Sequence, residues 1–452
     1  MVIELPQEAK DYINDKGDEL LEKLQSLESQ ESGNDSGDGS IEHLPKTEID
    51  KEDMEVHQVA QVNILGEETS KGFQVDDETI GLIGDSLEEF KRVVKNFSER
   101  NEFRDYLSRD FIDEKVFEWI KRKYLSEIDA EVSLSEHLLA EASKAIQEQV
   151  VSFPIEHLFI EKPFVVGKVQ FNYLRKETFD EMVNVRQKRG IQSHKPVDDL
   201  REKFQGRVIA SFKVKAEQQK AIEIGKREVQ KSLVGLRFFS KSAFISKRQS
   251  VFGFYKTAAI PSYHSFIFKG PLPDYVTTPT VEGQFFWGIG ESEIEWLQRA
   301  GMFQVHELLK KQDQNDFEET LLNCLFLFDK SLTASELQDK LVFLNVCLET
   351  LLLKDAGEPI KKSVGQRFAY LATDETDDRK ELITSYSEIY DLRSKYIHHG
   401  RKTKVDYEKI DLFQQNLWNV LSKALRNRER FEDNYEFIKH IDDSILTGDS
   451  GI

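Results

Sequence analysis

The sequence Leu392-Arg393-Ser394-Lys395-Tyr396-Ile397-His398-His399-Gly400 joins a helical pattern to a turn that ends in glycine. Arg393 and His398 lie five positions apart in it. A guanidinium group can bind a phosphate through two hydrogen bonds, and an imidazole can take or give a proton near neutral pH. Cleavage of RNA without a metal requires both abilities. The alternative is a basic helix end, because arginine and histidine commonly cap helix C-termini.

Apolar residues at helical spacing surround this stretch and predict a compact bundle of five helices. Glycine and proline in residues 355–359 separate the second helix from the third. The short connections favour antiparallel neighbours in an up-and-down bundle. The five stripes are Phe317, Leu321, Leu322, Cys324, Leu325 and Phe328; Leu337, Leu341, Leu344, Leu348, Leu351 and Leu352; Phe368 and Leu371; Leu382, Ile383, Tyr386, Ile389, Tyr390 and Arg393; and Tyr407, Ile410, Phe413, Leu417, Val420, Leu421 and Leu425.

This order of features resembles the HEPN superfamily, and most closely its Apea-like branch. The likeness covers roughly residues 317–427, about a quarter of the chain. It includes the apolar helix segment Leu348-Glu349-Thr350-Leu351-Leu352 and the segment Tyr390-Asp391-Leu392-Arg393-Ser394-Lys395, followed by His398 and Gly400. The resemblance implies a ribonuclease in which two copies of the domain pair and their Arg/His motifs face each other.

The resemblance also implies a role for each motif residue. Arg393 would hold the scissile phosphate and stabilise the charge of the transition state. His398 would act as general base or acid on the ribose 2′-hydroxyl and the leaving 5′-oxygen. The products would be a 2′,3′-cyclic phosphate and a 5′-hydroxyl, with no metal and no other cofactor. DNA would not be cut, because it lacks the 2′-hydroxyl that serves as the nucleophile.

Three further residues are candidates for the same site. The family spacing selects His398 over His399, which is then a helper, a phosphate contact or a solvated loop residue. Glu349 occupies a helix position that in relatives points a polar group toward the site; otherwise it is a solvated carboxylate. Asn345 lies one turn earlier and shares that face, or it is a polar surface residue. Some relatives carry a tyrosine where this chain has Gly400, and that departure argues against a toxin–antitoxin pairing.

Positive charge near the motif predicts contacts with RNA. Lys395, Arg401, Lys402 and Lys404 can track phosphates, although each is also consistent with a solvated face. The whole chain nevertheless has a formal net charge of −20. That acidity argues against broad, sequence-independent binding of nucleic acids and favours a narrow or gated substrate.

Length and hydrophobic patterns predict a multidomain protein with an N-terminal α+β domain followed by a C-terminal all-α helical bundle, which the resemblance implies is HEPN-like. Residues 1–60 hold 17 Asp/Glu against 5 Lys/Arg and are expected to be largely disordered around one marginal acidic helix. This segment is a solubilising tail, or it shields the basic site until it is displaced. Residues 61–312 would form the α+β domain that senses a trigger or selects RNA, and residues 313–452 the catalytic and dimerisation domain.

The α+β assignment rests on helical and strand patterns in the middle of the chain. Ser133 and Glu136 form a capping-box pattern at the start of a helix. The sequence predicts strands in residues 153–171, 208–214 and 263–268. It predicts a long helix over residues 216–239. Gly288-Ile289-Gly290 lacks the third glycine of a dinucleotide fingerprint and is expected to be a turn before a helix over residues 291–300.

Other protein classes lack their signatures in this sequence. Cys324 and Cys347 fall on apolar helix faces and read as core residues, not as disulfide or metal partners. No apolar run is long enough to predict a membrane span, and the first residues lack a secretion signal. There is no phosphate-binding loop and no His-Glu-x-x-His metal helix. A cytoplasmic protein without a metal site is expected.

The sequence therefore predicts a metal-independent endoribonuclease, active as a homodimer or higher oligomer. The family association implies prokaryotic antiphage defence by abortive infection, with tRNA as one candidate substrate and a phage-derived trigger. The alternative is a non-enzymatic HEPN module for dimerisation or RNA binding, in which the histidines are incidental.

Overall fold

The structure is a computed structural model. It describes residues 3–27, 58–63, 65–76, 78–129, 131–188, 190, 195–256, 262–269, 272–279, 286–355, 357–400 and 406–448; at 58–59, 262–269 and 272–279 it describes the backbone alone. The chain divides into two compact units. The first comprises Met1–Gln149 and Lys213–Ile224, and the second Val150–Phe212 and Gly225–Ile452. The boundary expected between residues 312 and 313 stays a prediction, and both its sides belong to the second unit.

The first unit combines four strands with helices. Its antiparallel sheet has the order β1-β4-β3-β2. The elements are α1 (Gln7–Leu21), β1 (Gln25–Leu27), β2 (Gln58–Val62), β3 (Glu68–Val75), β4 (Glu78–Ile83), α2 (Asp85–Ser98), α3 (Arg109–Tyr124) and α4 (Leu134–Ala145). The predicted capping box is confirmed, since the Ser133 hydroxyl accepts from the Glu136 N–H and the Glu136 carboxylate accepts from the Ser133 N–H.

The acidic helix α1 is part of the core of this unit. Ala9, Ile13 and Leu20 are buried in the same apolar cluster as residues of α2, α3 and α4. Gly17 permits this packing, because a Cβ atom there would lie 2.9 Å from Leu134 and 3.1 Å from Trp119. The sequence predicted only a marginal helix here and did not indicate that Ala9 and Ile13 are buried. The other part of the predicted disordered segment, residues 28–57, lies outside the described residues.

The second unit begins with strands and helices that surround a five-stranded sheet of order β10-β5-β9-β8-β7. β11 and β12 form an antiparallel hairpin, and β13 pairs with β6 in parallel. The elements are β5 (Gln147–Glu156), β6 (Leu158–Ile160), β7 (Phe164–Val166), β8 (Val169–Tyr173), α5 (Lys176–Lys188), α6 (Lys195–Phe204), β9 (Val208–Ala216), α7 (Gln218–Arg237), a 3₁₀ turn (Lys241–Ala243), β10 (Gly253–Phe254), β11 (Ser262–Lys269), β12 (Leu272–Pro279), β13 (Trp287–Ile289), α8 (Glu291–Ala300) and α9 (Met302–Lys310).

The C-terminal part of the second unit is helical, as predicted. The predicted apolar stripes supply its core, with Leu321, Leu344, Leu348 and Leu417 fully buried. Its elements are α10 (Asp316–Thr333), α11 (Leu337–Leu352), α12 (Ile360–Ala372), α13 (Thr376–His399), α14 (Tyr407–Arg426), a 3₁₀ turn (Arg428–Arg430) and α15 (Asn434–Thr447). The mixed α+β then helical organisation is thereby confirmed.

Two details of the helical part bear on the predictions. The sequence reading missed α15, which packs through Phe437 against Phe317 with ring centroids 4.8 Å apart. The two cysteines are buried and free, as predicted. Each thiol donates to the other's carbonyl: Cys324 Sγ lies 3.6 Å from Cys347 O, and Cys347 Sγ lies 3.3 Å from Cys324 O.

Among the helices described here, none has the length and apolarity needed to cross a membrane.

A buried charge pair links α7 to α10 inside the second unit. Arg237 is 5% exposed and forms two hydrogen bonds with the Asp329 carboxylate, one from Nη2 at 3.0 Å and one from Nε. Its Nη1 donates to the Phe252 carbonyl at 3.0 Å. Buried ions are tolerated only when partners of this kind satisfy them. This pair therefore fixes the start of the loop over residues 238–252 against the helical part.

Asp329→Ala should destabilise the protein by about 3–5 kcal/mol, because it leaves a buried arginine without a counter-charge. Unfolding in urea, followed by circular dichroism, would measure the change. Glu319→Ala, at an exposed position of the same helix, is the control and should cost less than about 1 kcal/mol. The double variant Arg237→Met, Asp329→Leu should recover most of the loss. A cost below about 1 kcal/mol for Asp329→Ala would contradict this account.

Candidate functional site

Helix α13 carries the Arg/His motif at its C-terminal end. The helix continues through His399 and ends at Gly400, which adopts φ = 61° and donates its N–H to the Tyr396 carbonyl at 2.9 Å. Glycine takes this left-handed conformation without the steric cost of a Cβ atom. The predicted glycine-ended helix end is confirmed. Both histidines are therefore in the last helical turn and not in a loop.

Arg393 lies in a shallow recess between α13 and α11. Its side chain is 17% exposed, and Nη2 lies 3.5 Å from Oε2 of Glu349, whose side chain is 15% exposed. Its guanidinium also lies over the Tyr390 ring, 5.6 Å from the ring centroid. The structure thus brings Glu349 to Arg393. The alternative of a solvated carboxylate at Glu349 is wrong.

The Arg393–Glu349 contact leaves polar atoms unused. Nε of Arg393 and Oε1 of Glu349 are buried without a hydrogen-bond partner among the described residues. Burial raises the pKa of the Glu349 carboxyl, and the positive charge of Arg393 opposes that rise. The Tyr386 hydroxyl is also buried without a described partner, and burial raises its pKa. Two polar side chains on α13 and one on α11 are therefore incompletely satisfied.

A second arginine of the helical part shows what a fully satisfied site looks like. Arg367 is bonded to both oxygens of Glu358, at 2.8 Å each, and to both oxygens of Asp442, at 2.7 and 2.9 Å. It also donates to the Leu352 carbonyl at 2.9 Å. Its guanidinium can bind nothing further. Arg393 has one longer contact and therefore retains N–H donors that can bind an anionic ligand.

Asn345 is fully buried on α11, one turn before Glu349. Its Nδ2 donates to the Leu341 carbonyl at 2.7 Å, and its Oδ1 has no described partner. The alternative of a polar surface position is therefore wrong. The helix repeat places Asn345 on the face of α11 that carries Glu349.

The histidines do not share the face of Arg393. His398, His399 and Lys395 are exposed. Because each helical residue turns by about 100°, His398 is rotated by about 140° from Arg393 and His399 by about 120° in the other sense. One copy of α13 therefore presents the arginine and the imidazoles in different directions. Arg401, Lys402 and Lys404 lie outside the described residues.

The sequence reading treated Tyr386 and Tyr390 only as part of an apolar stripe. In the structure Tyr390 lies under the Arg393 guanidinium, and the Tyr386 and Tyr390 rings are 6.1 Å apart. The spacing of Tyr386, Tyr390 and Arg393 could have indicated these contacts, because residues three or four apart on a helix are neighbours. Tyr396 donates its hydroxyl to Asp339 on α11 at 3.0 Å, a contact between helices that no local pattern could reveal.

Within the described part of the chain, no group of three or more His, Cys, Asp or Glu side chains is arranged to hold a metal ion. Comparisons of the chain with models of protein families, with curated proteins and with solved structures found no match. The likeness to the HEPN superfamily therefore stays an interpretation of the motif and its helical setting.

Glu349→Gln should stabilise the protein more at pH 7 than at pH 4. Because burial raises the folded-state pKa of Glu349, the folded protein holds this proton more tightly than the unfolded chain does. Stability is then lost as pH rises above about 4.5 and through the folded-state pKa, and glutamine avoids that loss. Urea unfolding of the wild type and the variant at pH 4, 5, 6 and 7 gives the difference in their free energies of unfolding. The titrations of all other groups cancel in this difference.

The control for this measurement is Glu381→Gln, which removes an exposed carboxylate from α13. Its stability difference from the wild type should stay flat over the same pH range. If the Glu349→Gln difference is also flat, or shrinks as pH rises, the burial of that carboxylate does not control its titration.

Proposed function

We propose that this protein is a metal-independent endoribonuclease of HEPN type, with Arg393 and His398 as its catalytic residues. One observation carries the proposal: the motif arginine is held near the surface with unused donors, whereas Arg367 in the same bundle is saturated. A purely structural arginine would be expected to satisfy its donors. An arginine with donors to spare at a helix end bearing two exposed imidazoles suits recognition of a phosphate.

The chemistry requires two proton transfers and one new bond. The ribose 2′-oxygen attacks phosphorus as a base removes its proton, and the bond from phosphorus to the 5′-oxygen breaks as an acid protonates that oxygen. A 2′,3′-cyclic phosphate and a 5′-hydroxyl result. Arg393 stabilises the additional negative charge on the phosphate oxygens. His398 supplies one of the two proton transfers, since an imidazole titrates near neutral pH.

The rotation of about 140° between Arg393 and His398 supports a site shared between two copies. A phosphate bound at Arg393 of one protomer would meet the imidazole of His398 of the partner subunit. A twofold arrangement would also supply two imidazoles, one as base and one as acid. Glu349 would act as a positioning residue that holds the guanidinium until a phosphate replaces the carboxylate.

The substrate side of the proposal is narrower than RNA in general. The chain's net charge of −20 opposes indiscriminate binding of RNA, so local cations near the site must attract the substrate. Lys395 and the basic residues after Gly400 would contact phosphates, and tRNA is one candidate. A cytoplasmic role in prokaryotic antiphage defence, with a phage-derived trigger, belongs to this proposal.

A second function has one observation in its favour. The contact of Arg393 with Glu349 and its position over Tyr390 also suit an arginine that only packs α13 against α11. The chain would then be a non-enzymatic module for dimerisation or RNA binding. In that case replacing Arg393 would weaken the fold and would have no activity to remove.

Arg393→Ala or His398→Ala should reduce RNA cleavage by at least roughly a hundredfold, because each removes a transition-state contact. His399→Ala should lose at least about tenfold less than His398→Ala. Lys380→Ala, which removes an exposed cation from the same helix, should cleave like the wild type. Purified proteins would be compared on labelled RNA with excess EDTA, and product ends would be identified by mass spectrometry.

Thermal unfolding of each variant separates chemistry from folding. If Arg393→Ala does not fold, Arg393→Lys keeps the charge, removes the two-pronged donor and should still lose activity. Wild-type cleavage by the folded Arg393 and His398 variants would overturn the assignment. So would 3′-hydroxyl products, or activity lost in EDTA and restored by Mg²⁺.

The shared site makes a separate prediction about assembly. Arg393→Ala and His398→Ala chains, each inactive alone, should regain part of the activity when mixed, because a mixed dimer pairs one Arg393 with the His398 of the other chain, although it lacks the second imidazole. Light scattering would give the mass, and cleavage would be followed against the mixing ratio. A monomer with full activity, or inactive mixtures in which mixed dimers are shown to form, would exclude a site built from both copies.

A further inference from the structure

An open pocket of about 390 Å³, partly continuous with solvent, lies in the second unit and outside the candidate site. The loop over residues 240–252 forms most of its wall, and Phe286 and Trp287 of the β13 segment complete it. The proposed function uses none of these residues. Because this volume includes space open to solvent, the pocket is an open cleft and not an enclosed cavity.

Serine hydroxyls supply the polar lining of this pocket. Ser240 and Ser242 are buried, with their hydroxyl oxygens 2.6 Å apart, and both line it. Ser250 also lines it and is 9% exposed, yet its Oγ has no hydrogen-bond partner among the described residues. A buried hydroxyl without a partner costs about 1–3 kcal/mol. Its retention in the wall of a pocket points to a partner supplied by a ligand.

Two cations give the pocket its charge. Lys241 and Arg248 line it, and neither forms an ion pair with a described residue. Residues 229–273 contain seven Lys/Arg and no Asp/Glu, in a chain whose net charge is −20. Carboxylates lie nearby without lining the pocket: Glu293, whose pKa the Ser292 hydroxyl and, more weakly, the charge of Lys241 lower, and Asp411, which accepts from the Ser246 N–H. The cations line the pocket and these carboxylates do not, so the pocket favours an anion.

Aromatic rings also line the pocket. Trp287 packs on Phe252 with centroids 5.5 Å apart, and Phe286 is 54% exposed beside it. An exposed aromatic ring offers a stacking face to a planar base, whatever the base is. Cations and hydroxyls that can bind a phosphate, together with rings that can stack on a base, match the two ends of a nucleotide.

We propose that this pocket binds a nucleoside monophosphate, either free or as the phosphorylated end of an RNA. Lys241 and Arg248 hold the phosphate, the Ser250 hydroxyl donates to it, and the base stacks against Trp287 and Phe286. The inference goes beyond the proposed cleavage reaction and does not depend on it, because binding is measured without any cleavage.

The back of the pocket wall is attached to the helices that carry the candidate site. Lys340, buried at the start of α11, donates to the carbonyls of Ser246 and Arg248, each at 2.7 Å. The Ser250 N–H donates to the Leu332 carbonyl of α10 at 2.8 Å. A ligand that orders Arg248 and Ser250 therefore also restrains the ends of α10 and α11. It should raise the melting temperature of the whole protein.

Isothermal titration calorimetry with adenosine monophosphate (AMP) tests the proposal on the full chain. AMP should bind with a Kd of about 10 µM to 1 mM, and adenosine or inorganic phosphate alone should bind at least tenfold more weakly. Lys241→Ala and Arg248→Ala should each weaken AMP binding about tenfold or more. Lys247→Ala removes a cation of the same loop that lies over Tyr407 and does not line the pocket, and it should bind AMP like the wild type.

Ser250→Ala separates a ligand contact from a structural role. The variant should lose AMP affinity while keeping or raising the melting temperature of the free protein, because it removes a buried hydroxyl that lacks a partner. If it lowers the melting temperature and leaves AMP affinity unchanged, the hydroxyl is structural and the assignment fails. Absence of AMP and oligonucleotide binding at millimolar concentration, or equal binding by all folded variants, would also overturn it.

A ribonucleotide hexamer with a 5′-phosphate identifies the source of the ligand. Binding of the hexamer at least tenfold tighter than AMP, and lost in Lys241→Ala, assigns the pocket to an RNA end. Binding of AMP as tight as, or tighter than, the hexamer assigns it to a free nucleotide. Both results support the pocket chemistry. Loss of RNA cleavage with retained AMP binding, or the reverse, shows which of the two proposals has failed.

Discussion

Positive charges buried in the second unit must be compensated by nearby oxygens, and this requirement fixes how its helices pack. Arg237 and Arg367 are almost fully buried: Arg237 forms two bonds with a carboxylate and one with a carbonyl, and Arg367 forms five bonds with such oxygens. Leaving either ion unpaired would cost several kcal/mol, so these two contacts can have only one arrangement. Arg393 differs, because it is more exposed and has a single contact with Glu349 at 3.5 Å. A single longer contact fixes the guanidinium of Arg393 less firmly than the five bonds fix that of Arg367.

Helix α11 connects the two sites inferred here. Lys340 at its start is bonded to the loop that walls the pocket, and Glu349 lies nine residues further along, about 14 Å at the rise of an α-helix. The residues between them include Leu341, Leu344 and Leu348, which are buried in the core. Burial lowers the pKa of Lys340 to about 8, and the negative charge of Asp411 opposes that shift.

The sequence predicted the elements whose signals are local. Apolar stripes placed the five helices from α10 to α14, and the glycine at position 400 marked the end of α13. The sheet of the first unit was missed because strands such as Glu68–Val75 alternate poorly and are stabilised by pairing with distant residues. The burial of Asn345 and the contact of Tyr396 with Asp339 depend on how α11 meets its neighbours. Local spacing does not contain that information.

The spacing of Arg393 and His398 acquires a different meaning once the helix is known to continue to His399. In a turn, five residues could bring both side chains to one phosphate; on a helix they point about 140° apart. A phosphate bound beside the C-terminal turn would also meet the negative end of the helix dipole. Cations must offset that field, and Lys395 and Arg393 are the lysine and arginine that the C-terminal half of α13 provides. A second copy would double these cations and would bring an imidazole from the direction that one helix cannot reach. If the motif is catalytic, pairing of the chain is therefore a geometric requirement of the site.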